Sequence, residues 1–334
     1  MPFDRDSHRI VIAGASSLLG AELKSLLEQS RFAAADFRLL GEEMAAGILT
    51  EVGGEPAVIQ PADEGSFSKA RFVFFTGSFA FTLANFQSAH RSGAVIIDLS
   101  GHSVAFVDSF AWFPGVEKLS GQPLPQKRTL ATIPSAAAEA IVRLALSLQG
   151  LGLRHLTCTV LQPVSAAGKL GIEELETQTS QLLSMQSPGK QLFDAQVAFN
   201  TLDRFGPSSR FDLRHAWEIL RNEVHSSLRE TSVVPAIQLL HVPVFYGVTF
   251  SACAELDPSA DSARIHDACK ASGFSLTQAR DSPSNVSVAE ETVIHLGPPE
   301  SDRTKPGTWW YWGAADNIRL PAWNAVRLAE LLAE

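Results

Sequence analysis

The sequence predicts an α/β protein with three parts: an N-terminal Rossmann-like doubly wound sheet, an α+β dimerisation domain, and a C-terminal helix returning to the first domain. Three observations carry this. Over the first third, short and nearly unbroken apolar segments alternate with amphipathic ones, as for parallel strands covered on both faces. In the middle the apolar segments lengthen, as in an antiparallel or mixed sheet with helices on one face. At the end, an apolar helix follows a strand and a turn. The boundaries read as 1–132, 133–315 and 316–334.

RIVIAG, residues 9–14, is a strand ending in glycine. SLLGAELKSLLEQS then carries Leu18, Leu19, Leu23, Leu26 and Leu27 at helical spacing. FRLLG, RFVFFTG and AVIIDLS are further strands, and FTLANFQSAHRSG is the crossover helix between the last two. LATIPSAAAEAIVRLALSL, residues 130–148, brings a strand to a helix at Pro134-Ser135. The middle domain opens with a long strand, LRHLTCTVLQPVS, and a helix, GIEELETQTSQLLSM. Residues 186–210 are rich in turn formers and read as irregular, before the helix HAWEILRNEVHSSL. AIQLLHVPVFYGVTFSACAEL is a long extended pair of strands. WWYWGAADNIRLPAWNAVRLAELLAE is a strand, a turn and a helix that starts close to Pro321. Exposed sheet edges and faces need cover, so a homodimer through the middle domain is expected.

Bulk composition narrows the function. Charged residues make up 19% and apolar ones 45%, the balance of a soluble globular protein. A net charge of −9 without a Lys/Arg cluster argues against nucleic acid or an anionic membrane as partner. No apolar run has the length of a membrane span, and MPFDRDSHRI has no secretory pattern. The three cysteines, Cys158, Cys253 and Cys269, form neither CxxC spacing nor an even set. A zinc site or disulfide framework is not expected, and a reducing, cytoplasmic setting is. Cys158 and Cys253 lie in apolar strand runs and read as buried structural residues.

The turn GASSLLG places Gly14 and Gly20 between strand and helix, where a glycine loop lets phosphate approach backbone amides. Ser17 occupies its centre, and its hydroxyl can donate to a phosphate.

IVIAGASSLLGAEL, FVFFTG, VIIDLSG, VLQPVSAAGK, HVPVFYG and WGAADNIR followed by NAVRLAELL occur in this order over nearly the whole chain. Together they resemble aspartate-semialdehyde dehydrogenase, and more closely its Usg-type homologues, in which the catalytic machinery is often altered. The resemblance implies a phosphate-dependent, NADP-linked reductive dephosphorylation of aspartyl phosphate to its semialdehyde, in amino-acid biosynthesis. It needs a cysteine thiolate, a histidine acid/base and cationic groups for carboxylate and phosphate.

Each can be sought by position. The family's Asn-Pro-x-Cys motif, anchored on Pro134, puts Ile133 at the asparagine, Ser135 at the variable position and Ala136 at the cysteine. Ser135 is the possible substitute nucleophile, or simply a helix N-cap. The acid/base position is Val248, and the substrate-carboxylate arginine corresponds to His241, which reads equally as a packed, hydrogen-bonded histidine. The phosphate-binding arginine falls at Val104, with His102 the nearest candidate anion partner. The residues that grip the NADP 2′-phosphate correspond to Glu42 and Met44. A carboxylate there repels that phosphate and accepts from a ribose 2′-hydroxyl, which favours NAD, unless no dinucleotide binds.

Retained by the resemblance are Gln162, which orients the thioester, Glu223, which meets the substrate amine, and Asp316-Asn317, on the nicotinamide side. Asn317 can also cap the last helix. The implied cofactor set is Gly14, Ser16, Ser17, Gly20, Glu42, Gly77 and Asn317; the implied substrate set is Gln162, Glu223 and His241. No metal ligands are implied. Nucleophile, acid/base and phosphate-binding arginine are all replaced, so a binding or regulatory pseudoenzyme is the expected function. The alternatives are an NAD(P)-dependent oxidoreductase working through Ser135, His241 or His102, and a structural subunit pairing with an active homologue.

Overall fold

Residues 9–42, 47–228, 233–278 and 280–334 are described by the computed structural model. In chain order the first main elements are β1 (Arg9–Ala13), α1 (Leu18–Glu28), β2 (Asp36–Gly41), β3 (Ala70–Phe75), α2 (Phe79–Arg91), β4 (Val95–Asp98) and β5 (Leu130–Thr132). There follow α3 (Ala136–Gln149), β6 (His155–Gln162), α4 (Gly168–Leu183), α5 (Leu213–Leu228), β7 (Ala236–His241), β8 (Val248–Glu255), α6 (Ser262–Ala271), β9 (Thr308–Ala315) and α7 (Arg319–Leu332). The chain forms two units. One holds the chain to Val116, Pro123–Pro134 and Pro321–Glu334; the other holds Glu117–Gln122 and Ser135–Leu320.

The first unit is built on a parallel sheet ordered Gln60–Pro61, β2, β1, β3, β4, β5, Phe110–Ala111. Consecutive residues Ile10, Val11 and Ile12 of β1, and Val73, Phe74 and Phe75 of β3, are all fully buried. Side chains alternate between faces along a strand, so both faces are covered, as the unbroken apolar segments require. The closing helix joins this unit: Arg31 and Arg71 donate to the Glu330 and Ala333 carbonyls at 3.3 and 3.2 Å. Both carbonyls lie at the C-terminal end of the helix, where cationic side chains are favoured. Asp316 starts the same helix, accepting from the Ile318 and Arg319 amides at 2.8 Å each. The cap role expected of Asn317 thus falls to its neighbour.

The second unit carries a mixed sheet ordered β7, β6, β8, β9, His295–Leu296, Ser275–Leu276. The extended pair of strands is present as β7 and β8, but they do not pair with each other. β6 lies between them, parallel to β7 and antiparallel to β8. Their link crosses the end of β6, where the Val164 and Ser165 amides donate to the Val244 and Phe245 carbonyls. Leu156, Cys158 and Val160 of β6 and Phe250, Ala252 and Ala254 of β8 face the core, against α3. α3 is buried on nearly every side, with a Glu139–Arg143 ion pair at 2.6 Å inside it.

The opposite face of this sheet is open. Thr157, Cys253 and Trp310 form one row across it, and Thr159, Ser251 and Trp312 the next. Trp310 is 46% exposed and Trp312 37%. Cys253 is therefore half-buried on the open face, not in the core as its apolar context suggests. Strand alternation explains this: its neighbours Ala252 and Ala254 take the inward positions.

Candidate functional site

The turn after β1 is held by the chain's own backbone. Gly14 has φ +105°, and a Cβ there would lie 2.1 Å from the Gly77 nitrogen. A Cβ on Gly20 would lie 2.3 Å from the Gly14 carbonyl oxygen. Gly14 is thus required by the close approach of the β1–α1 turn to the β3–α2 turn, and Gly20 by the packing of α1 on the Gly14 carbonyl and the Thr76 side chain, whatever binds there. Gly77 belongs to that second turn. Ser17 caps α1, accepting from the Gly20 amide at 2.8 Å, and its hydroxyl donates to the Thr76 carbonyl at 2.8 Å. The proton expected for a phosphate is spent on Thr76. Ser16, beside it, is half-buried.

Glu42 follows β2 and accepts from the Ser78 hydroxyl at 2.7 Å. Ser78 in turn accepts from the Phe81 amide as the N-cap of α2. The carboxylate is thereby fixed beyond the carboxyl end of β2, where a ribose hydroxyl is read in dinucleotide-binding sheets. Met44 lies outside the described residues.

After β4 the buried Asp98 accepts from the Ser100 amide and hydroxyl and from the Ser103 amide at 2.7–2.8 Å. This anchor was not legible beforehand, because a lone aspartate at a strand end has no distinguishing spacing. The loop it holds buries Val104. His102 packs among Phe79, Phe86 and Phe106, with ring centroids 5.0, 5.4 and 5.2 Å away. The expected anion partner is a packed ring.

In the second unit, Ser135 is the N-cap of α3, accepting from the Ala138 amide at 3.3 Å. Its hydroxyl donates to Glu223 Oε2 at 2.5 Å, and its amide to Oε1 at 3.2 Å. Glu223 is buried on α5. Its carboxyl group sits at the helix start, where the dipole favours negative charge. Ala136, next along, is buried and carries no nucleophile.

Gln162 ends β6 half-buried, opposite His241 at the end of β7. His241 is 2% exposed and lies 6.0 and 5.4 Å from the Phe193 and Phe205 rings. Burial pulls its pKa down to about 4, against a weaker opposing hydrogen bond with the Val197 backbone. The imidazole is therefore uncharged at pH 7 and packed among aromatic rings. Asn317 joins two loops, donating to the Ser165 hydroxyl at 3.0 Å and accepting from the Gly247 amide at 2.8 Å. Val248, buried directly after Gly247, opens β8 with no group that transfers a proton.

The structure therefore brings together Ser135 with Glu223, Ser17 with Gly14 and Gly20, and Asn317 with the turn before Val248. Among the described residues no group of three or more His, Cys, Asp and Glu can hold a metal ion, and no helix is long and apolar enough to cross a membrane.

A family model described as the dimerisation domain of semialdehyde dehydrogenase matches residues 145–320. The USG-1 protein homologue of Azotobacter vinelandii is 30% identical, over 97% of each chain. Aspartate-semialdehyde dehydrogenase 2 of Vibrio cholerae is 25% identical, again over 97% of each. The structure of a probable aspartate-semialdehyde dehydrogenase from Pseudomonas aeruginosa superposes with a TM-score of 0.85 at 26% identity, covering 98% of both chains. The chain belongs to the semialdehyde dehydrogenase family that holds both the USG-1 homologues and the aspartate-semialdehyde dehydrogenases.

Proposed function

We propose that this chain is a member of the family without its dehydrogenase chemistry, acting by binding as a homodimer. The observation that carries the proposal is the start of α3. There Ala136 stands at the position of the nucleophile, and the neighbouring Ser135 is already committed to Glu223 and to the helix cap. Acyl transfer needs a nucleophile whose proton leaves to a base and whose lone pair reaches the substrate. The Ser135 hydroxyl instead donates to Glu223 and accepts from the Ala138 amide. Val248 supplies no acid/base, and neutral His241 supplies no cation. Residues that act as one catalytic unit are not replaced piecemeal, since loss of any one removes most of the rate.

Intact-mass spectrometry tests this. Incubated with aspartate semialdehyde and NAD(P)+ without phosphate, the chain should gain no acyl adduct. An adduct on Ser135 would replace the proposal with the altered-enzyme reading.

The residues fit a ribose with a free 2′-hydroxyl. A nicotinamide cofactor, when bound, supplies hydride transfer. Glu42, fixed by Ser78, would accept from the 2′-hydroxyl and repel a 2′-phosphate. In a fluorescence titration NADH should bind at least about tenfold more tightly than NADPH, the scale of one charge contact near a surface. Glu42→Ser should close most of that gap. Equal affinities in the wild type would contradict the role given to Glu42. Support for the homodimer is the open face of the second sheet, whose rows of threonine, serine, cysteine and tryptophan carry no charge.

A further inference from the structure

Among the described residues, five other than glycine have left-handed backbone, and one of them, Phe199, is a large aromatic with φ 56° and 65% exposure. That region is disfavoured for residues with a Cβ, most of all bulky ones. Water is also a poor place for the ring. Both costs persist only where the surroundings impose them.

Here they do. Val197 and Ala198 are fully buried. Their amides both donate to the buried Gln178 Oε1, at 2.8 and 3.2 Å. Gln196 donates to the Ala198 carbonyl and Asn200 to the Gln196 carbonyl, each at 3.0 Å. The turn cannot rotate the ring inward without breaking this set. A rigid turn presenting an aromatic ring suits binding, because little freedom remains to be lost on association.

The occupant is a second copy of this chain. Three residues on, Leu202 exchanges backbone hydrogen bonds with His241 at 2.8 and 3.1 Å, which ties the turn beside the end of the edge strand β7. From that edge the open face runs through Gln238, Thr159, Ser251 and Trp312, which are uncharged. Along this row a chain of net charge −9 can meet itself without opposing like charges, and the charges farther along the face are Glu255, paired with Lys305, and Asp302, held by the Trp310 indole. The matched dimerisation domain, residues 145–320, contains the whole surface. Resting on the homodimer reading, we infer that Phe199 is a pre-organised anchor whose ring inserts into the second copy at the margin of that interface.

Sedimentation velocity over a concentration series tests this on the full chain with Phe199→Ala and Phe199→Gly. The wild type should be a dimer, and both variants should dissociate at least about 30-fold more readily, the loss expected of a hot-spot residue. Dissociated protomers give a second signature. The glycine variant should unfold at higher urea than the alanine variant, because only glycine relaxes at positive φ. Equal midpoints would overturn the strained-backbone part. A benzoylphenylalanine crosslinker at position 199 should join two copies, and needs no comparison of variant stabilities. A monomeric wild type would overturn the homodimer reading and the anchor together. A dimeric wild type with unchanged variants and no crosslink would overturn the anchor alone.

Discussion

Glu139→Ala should lower the unfolding free energy by about 3–5 kcal/mol, the usual cost of leaving a buried charge without its partner. Glu139 and Arg143 are one turn apart on α3, with side-chain exposures of 1% and 9%. Arg143 also donates to the Ser272 carbonyl at 2.6 Å. A Cβ on Gly273, at φ +91°, would lie 2.8 Å from the guanidinium. The cation is therefore enclosed by helix, carboxylate and a close-packed turn. The double variant Glu139→Leu/Arg143→Met should lose far less, because replacing both charges removes the desolvation cost along with the attraction. Urea unfolding measures both. A single-variant loss below about 1 kcal/mol, the range of exposed pairs, would contradict a buried pair.

Stability should also fall on acidification between pH 6.5 and about 4, through His241. Its ring is held neutral by burial in the folded chain, while the unfolded chain takes up a proton near the ordinary histidine value of 6.5. In that window the unfolded state binds more protons, so stability rises with pH. The contribution is unopposed above 6.5, is lost as pH falls, and levels off below about 4, amounting to about 3 kcal/mol. His241→Phe keeps an aromatic ring beside Phe193 and Phe205 and removes the titrating group, so its stability should be flatter over this window. Carboxylates such as Asp302, held near 2 by hydrogen bonds from Thr304, act at lower pH. Urea midpoints for the two proteins at pH 5 and pH 7 separate the effects. An equal pH dependence in both would contradict the burial of a neutral imidazole.

The parallel sheet was legible because its central strands β1, β3 and β4 are apolar on both faces, which calls for helices on each side. The second sheet was legible as strands and not as a pairing, since adjacency in sequence does not decide that β6 intervenes between β7 and β8. Cys253 shows the same limit: one position of alternation moves a side chain to the open face, and an apolar context does not reveal which face that is. At the candidate site, the chain alone shows that Ala136 and Val248 carry no reactive group, because alanine and valine have none in any fold. Contacts could not. Ser135 and Glu223 are 88 residues apart, and only the packing of α5 on α3 joins them. Ser17 was legible as a loop residue, but the direction of its hydroxyl depends on Thr76, which belongs to another strand end. The anchor at Asp98 and the turn that presents Phe199 are likewise products of tertiary hydrogen bonds.

If the family's fold persists here without its reaction, as proposed, steady-state oxidation of aspartate semialdehyde, with phosphate and either NAD+ or NADP+, decides it. The expected result is no reduced cofactor above the rate without protein, in the wild type and in Ala136→Cys alike, because restoring the thiol leaves Val248 and Val104 in place. Phosphate-dependent turnover by the wild type, abolished in Glu223→Gln, would contradict the claim and make this chain an enzyme.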